Sequence, residues 1–303
     1  MNKLIYIVAS VLMSFGAFAQ TTVGITTGPT TATNYPMGLD IQKVCSNNQT
    51  KINVYPSEGS LSNIFKIYSD KNVQYGIIQE DALVYQDGLD PKMMSKIKMV
   101  FPFFTTDIHI LVNKKSGISK LDDLQKKKVV IGTEGSGTWV TAQVMRQLLG
   151  HQWEEFTFSQ KDGLKALTSG MVDAMIFVAG RPISTLKELQ ADNVQLISIA
   201  HPKLDNFKYY TKSMIPDNTY PWQQKAVQTY SIKTVLATFS FANQYQKEIS
   251  DLVGCITRNL EKLQLDGHPK WRDVDVNDIN TVQWPIHPAA KKAILDNIKA
   301  HKQ

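Results

Sequence analysis

The chain has 303 residues, 43% of them hydrophobic, and a formal net charge of +6 at pH 7. That length accommodates two domains of roughly 100 to 200 residues each, and the apolar content is enough for two cores. The positive surplus lies in short separate runs, such as Lys126-Lys127-Lys128 and Lys291-Lys292, and not with aromatic partners on one surface, which excludes a nucleic-acid binder.

The first residues read as an export signal. Lys3 supplies a positive start, residues 4–15 an apolar run, and Ala17-Phe18-Ala19 a small-x-small cleavage site. Residues 1–19 are then a signal peptide, and the mature chain begins at Gln20 and resides in the periplasm. An apolar run of about a dozen residues is shorter than the roughly 20 needed to span a bilayer. No cysteine follows the cleavage site, so a lipid anchor is not indicated.

From residue 22 onward short β-rich runs alternate with helical patterns, the mark of an α/β chain with mainly parallel strands. A strand over 22–26 leads into a Gly, Pro and Thr loop and a helix over 35–45. A strand over 52–55 ends in Ser57-Glu58-Gly59-Ser60, after which Leu61, Ile64, Phe65 and Tyr68 recur at helical spacing. A third strand covers 73–79, and a short helix opens at Asp81. Ile108, Ile110 and Val112 alternate in a strand that crosses into a second series: a strand over 129–132, a helix over 138–149 closed by Gly150, a helix over 164–168, and strands over 172–178 and 194–199. An alternating β run over 227–238 and a long helix carrying Tyr245, Ile249, Leu252, Ile256, Leu260 and Leu263 on one stripe return to the first lobe. Lobe 1 is therefore expected to comprise 20–107 and 208–303, and lobe 2 to comprise 108–207, with hinges near 106–108 and 200–208. A ligand belongs in the cleft between them, where the carboxyl ends of parallel strands point.

Three stretches carry candidate chemistry. Gly132-Thr133-Glu134-Gly135-Ser136-Gly137-Thr138 follows a strand and opens a helix. Its glycines have phosphate-loop spacing, but Thr138 stands where that motif needs lysine. What survives is a helix N-terminus whose free N–H groups and dipole suit an anion, with Ser136 and Thr138 as hydroxyl donors; an ordinary capped turn fits equally. Ser57-Glu58-Gly59-Ser60 with Asn63 offers the same geometry in the first lobe, and two opposed helix N-termini can clamp a carboxylate. Gln79-Glu80-Asp81 and Ala179-Gly180-Arg181 follow the buried strands, and Arg181 can meet a carboxylate with two parallel bonds.

Catalysis finds no support: there is no nucleophile elbow, and His109, inside a β run, reads as structural. No cofactor is expected, and the six scattered histidines lack metal-ligand spacing. Cys45 and Cys255 either pair in an oxidising compartment or are two buried thiols. Assigning the C-terminal third to the first lobe brings both into one domain.

Over nearly the whole mature chain these residues resemble the TAXI family of TRAP-transporter solute receptors. The resemblance rests on Asn34-Tyr35-Pro36-Met37-Gly38, Ser57-Glu58-Gly59-Ser60 with Asn63, Gln79 with Asp81, Gly135-Ser136-Gly137-Thr138, Phe177-Val178-Ala179-Gly180, Tyr220-Pro221 and His287-Pro288-Ala289-Ala290. It implies a periplasmic binding protein of type II that captures a small carboxylate, glutamate-like or a dicarboxylate such as 2-oxoglutarate. It also implies, as partners, the membrane permease subunits of a TRAP importer driven by an ion gradient. The receptor is expected to be a monomer and not an enzyme. The matching positions make Tyr35, Ser57, Ser60, Asn63, Gln79, Asp81, Gly135, Ser136, Thr138, Gly180 and Arg181 the expected ligand-binding set. The first loop is poorer in glycine than the family's, and Glu58 replaces a small residue, so the pocket is edited. A sensory binding protein that presents its closed form to a membrane receptor kinase would share the same fold.

Overall fold

A computed structural model describes residues 20–190, 192–240 and 245–300. The expected signal peptide falls on residues 1–19, outside the described residues. The first part of the chain runs β1 (Thr21–Thr26), α1 (Asn34–Cys45), β2 (Thr50–Tyr55), α2 (Ser60–Ser69), β3 (Tyr75–Gln79), α3 (Glu80–Leu89), α4 (Pro91–Met94) and β4 (Ile97–Asn113). The middle part is β5 (Lys128–Val130), α5 (Gly137–Leu149), β6 (Glu154–Phe156), α6 (Gln160–Ser169), β7 (Ala174–Ala179), α7 (Ser184–Lys187), β8 (Val194–Leu196) and α8 (Pro202–Asp205). The chain closes with β9 (Tyr210–Ile215), β10 (Val227–Phe239), α9 (Gln246–Arg258), α10 (Leu260–Asp266) and α11 (Pro288–Ala300).

The strands form the order β2-β1-β3-β10-β4-β7-β5-β6, with β8 beside β4 and β9 beside β10. β1 is parallel to β2 and β3, and β5 is parallel to β6 and β7. Two long antiparallel strands, β4 and β10, join these halves. The result is the expected mixed α/β, two-lobed architecture of a type II periplasmic binding protein. Burial follows the joint: a second apolar cluster contains Leu111, Val130, Leu167 and Met175 together with Ile215, Tyr220 and Val227. Among the described residues no helix is long and apolar enough to cross a membrane.

β4 is 17 residues long, whereas the sequence reveals only its last third. Pro102 is the reason, because a proline has no N–H for a central ladder and argues against a strand. The fold absorbs it where the pairing of β4 with β10 shifts register between Lys233 and Val235. There Phe103 and Phe104 together oppose Thr234, as in a β-bulge.

The expected long C-terminal helix is two, α9 and α10, broken at Asn259. α9 is tied to α1 by a disulfide between Cys45 and Cys255, whose Cα atoms are 5.8 Å apart. The bond closes a loop across a sequence separation of 210 residues, which restricts the unfolded chain strongly in the chain-entropy account. Replacing both cysteines by alanine should lower unfolding stability by about 2 to 5 kcal/mol. Urea melts should show the loss, and a reductant should produce it in the parent protein but not in the variant.

Candidate functional site

The N-terminus of α2 sits against the loop that precedes α5. The backbone N–H groups of Leu61 and Ser62 both donate to the carbonyl oxygen of Gly135, at 3.1 Å each. These are donors that a helix start leaves unpaired, so in this conformation a backbone carbonyl from the second lobe occupies the place expected for an anion. Two glycines permit the approach. A Cβ on Gly59, whose φ is +132°, would stand 3.1 Å from the nitrogen of Gly137, and one on Gly137 would collide with the side chain of Gln79. Glu58 also crosses the gap, accepting a hydrogen bond from the Thr133 hydroxyl at 3.3 Å.

Behind this contact lies a fully satisfied bracket. Asn63 accepts from the hydroxyls of Thr26 (2.8 Å) and Ser57 (2.6 Å) and donates to the carbonyls of Thr27 (2.6 Å) and Ile77 (2.7 Å). Ser60 Oγ accepts from the Gln79 backbone N–H and donates to Gln79 Oε1, while Gln79 Nε2 donates to Thr106 Oγ1 at 3.2 Å. In the second lobe Ser136 caps α5 by accepting from Trp139 N–H, and Thr138 Oγ1 accepts from Val178 N–H, both at 3.1 Å. Tyr35 is half-buried in the first turn of α1. It follows the loop whose Gly28 carbonyl accepts from Ser57 N–H.

Asp81 is fully buried on α3. Its Oδ2 accepts from the hydroxyl of Thr141 on α5 (2.6 Å) and from that of Tyr210 on β9 (3.2 Å), and its Oδ1 has no hydrogen-bond partner among the described residues. Burial raises its pKa to about 6, with the two hydroxyls pulling the other way. Arg181 is held by the buried Asp107 at 3.0 Å and donates to the Met214 carbonyl at 2.7 Å and to Ser213 Oγ at 3.3 Å. Burial raises the pKa of Asp107, and the Arg181 guanidinium counters it. His109 is structural: Nδ1 donates to the Asp107 carbonyl (3.0 Å), Nε2 accepts from Tyr220 OH (2.8 Å), and burial lowers its pKa to about 4.

The structure thus brings Ser57, Ser60, Asn63, Gln79, Gly135 and Ser136 together around one interlobe contact. Asp81 stands on a second contact, and Gly180 and Arg181 lie near the crossing strands. The sequence missed Thr106, Asp107 and Lys270. Lys270 sits in a 3-10 turn, Pro269–Asp273, and its side chain packs so tightly on Gly180 that a Cβ there would lie 2.9 Å from its Cε. The only local signal is His268-Pro269-Lys270, a turn with no motif attached.

Two outcomes follow from these contacts. Asn63→Ala should cost about 3 to 5 kcal/mol, because it removes the partner of the buried Thr26 hydroxyl and of the Thr27 and Ile77 carbonyls; chemical denaturation measures it. For Asp81 the unfolded chain loses the proton near its ordinary value of 3.8, whereas the fold keeps it to about 6. The stabilisation carried by that proton is complete below the lower value and lost as pH rises through the upper one, on the order of 3 kcal/mol. Asp81→Asn should therefore melt higher than the parent at pH 7.5 and depend less on pH between 4 and 7.

A profile of the NMT1-like family matches residues 25–294. Among solved structures, the fold is similar to that in the study of glutathione import through GshT and the cystine ABC importer TcyBC of Streptococcus mutans. The TM-score is 0.54 at 17% identity, covering 87% of this chain and 100% of that one. It is also similar to the alkanesulfonate-binding protein SsuA of Xanthomonas axonopodis pv. citri bound to MOPS (0.51, 14%, 92% and 84%). A third is a periplasmic sulfonate-binding SsuA, assigned to a sulfonate ABC transporter, from Methylobacillus flagellatus KT (0.50, 14%, 92% and 78%). These findings overturn the resemblance to TAXI receptors of TRAP transporters. The scattered Gly, Ser and Asn positions that carried it reflect the strand-turn-helix geometry of the fold and do not distinguish the transporter type. The chain belongs to the NMT1-like family and has the two-lobed fold of ABC-type substrate-binding proteins.

Proposed function

We propose that the protein is an extracytoplasmic solute-binding receptor of an ABC-type importer, and that it holds a small acidic solute, a carboxylate or a sulfonate, between its lobes. The observation that carries this reading is the meeting of α2 and the α5 loop over the crossing strands. The Gly135 carbonyl that accepts from the α2 N–H groups is uncharged, so an anionic oxygen from a solute can replace it at a gain, since ionised acceptors bond roughly twice as strongly. Ser60, Gln79 and Thr106 then line the floor beneath. The membrane partners in this reading are the subunits of the ABC importer.

The lobes of the receptor exchange chain at Asp107 in β4. On the return we place the boundary inside β10, beyond the expected residue 207, because Ile215, Tyr220 and Val227 pack with the second cluster. This gives the two crossings that a hinge requires.

A thermal-shift screen tests the reading. Protein refolded from denaturant, and so stripped of carried ligand, is scanned with carboxylates, alkanesulfonates, amino acids and neutral sugars. A ligand at a thousand times its dissociation constant adds about 4 kcal/mol, several degrees for a chain of this size. A shift confined to acidic compounds is the expected result. A shift with sugars alone overturns the solute class, and none with any class overturns the receptor.

A further inference from the structure

Resting on the receptor reading, we infer that Lys270 is the residue that binds the solute's negative charge, and that Asp273 holds its place until the solute arrives. The ammonium is almost buried, with 7% of the side chain exposed, and its ion-pair partner Asp273, at 2.6 Å, is 53% exposed. It also lies 5.5 Å from the centre of the Phe104 ring, a favourable station for a cation. Gly180 from the second lobe closes over its stem, so the group sits where the two lobes meet.

Its position relative to the polar floor follows from strand geometry. Side chains two apart on a strand share a face and stand about 7 Å apart. Phe104, under Lys270, and Thr106, bonded to Gln79, are such a pair on β4. The cation and the α2–α5 contact therefore address the same face. Phe103 is turned toward the same turn by the register shift, with its ring 5.5 Å from that of Trp271.

Lys270 is the spendable cation and Arg181 is not. Drawing Arg181 to a solute would strand Asp107, which is buried and has its Oδ1 committed to Arg181 and Ser213; an uncompensated buried charge is costly. Releasing Asp273 sends a half-exposed carboxylate into water. A solute anion then replaces Asp273 as the ammonium's partner, and Arg181, which stays in place, remains the nearest counter-charge of the buried Asp107, with Lys270 a weaker one.

The test uses three proteins, the parent, Lys270→Met and Asp273→Asn, titrated calorimetrically with glutarate, butanesulfonate and pentanediamide, the neutral counterpart of glutarate. Lys270→Met should weaken whichever anion the parent binds at least tenfold, and Asp273→Asn should tighten it at least threefold by removing the internal competitor. Neither should move pentanediamide. If Lys270 only braces the fold, Asp273→Asn weakens binding or leaves it alone, and Lys270→Met affects charged and neutral probes alike; either result overturns the assignment. Should Lys270→Met fail to fold, Asp273→Asn decides. A parent that binds only neutral compounds sinks this inference and leaves the receptor standing, whereas one that binds nothing in the wider screen sinks the receptor itself.

Discussion

The antiparallel ladder between β4 and β10 carries both lobes. From Ile97 opposite Phe239 to Asp107 opposite Ser231, it carries β3 and β9 along the outer edge of β10 and β7 along the outer edge of β4, with β8 pairing β4 on its inner edge beyond the ladder. Everything that faces the cleft is referenced to it. Thr106 reaches Gln79, Asp107 reaches Arg181, and Phe104 receives Lys270 because each lies on a particular side of one strand. A slip of one residue would exchange the faces and dissolve all three contacts. The bulge at Phe103 and Phe104 is part of this arrangement, since it sets both rings against the Pro269–Asp273 turn.

The lobes touch through polar groups that differ in how completely they are paired. At α2 every partner is neutral and close: two N–H groups and one carbonyl, with Glu58 and Thr133 at the rim. At α3 the contact contains Asp81, buried, with one oxygen lacking a hydrogen-bond partner among the described residues. The first contact costs little to exchange for a solute because one hydrogen bond replaces another. The second holds a carboxyl group whose charged form the interior opposes, so its tenancy depends on a proton. A neutral contact that a solute can exchange thus stands beside a titrating one whose hold depends on pH.

Much of the scaffold was legible because its signals are local. The strand, glycine turn and helix from Lys128–Val130 to Gly137–Leu149 follow from β-branched residues, the Ser136 cap and Gly150 at the end. Ser57 and Ser60 were found beside Gly135 and Ser136 for the same reason: both loops begin helices. What escaped was set by distance along the chain. Pro102 disguised most of β4, and β9 is a short edge strand whose exposed positions give little periodicity. Asn63 was picked out, but its four bonds join β1, the β2 loop and β3, which no single stretch reveals. Cys45 and Cys255 leave pairing open, favoured by their shared lobe but not settled, and the docking of α9 on α1 decides it. Lys270 had no motif at all; only the fold brings residue 270 to residue 180.

The alternation of one strand also sorts the two cations that approach Gly180-Arg181. Phe104 and Thr106 fall on one face of β4 and Asp107 on the other. Arg181 follows Asp107 and sets its Nη1 among that buried carboxylate, the Met214 carbonyl and Ser213 Oγ; it holds the crossing in place. Lys270 follows Phe104, where an aromatic face supports a charge without neutralising it, and its carboxylate partner stands in solvent. Two positive groups that sequence would treat as equivalent thus differ in what they can release. The guanidinium is bound to the fold by a charge that has nowhere else to go, and the ammonium is bound by one that water will accept.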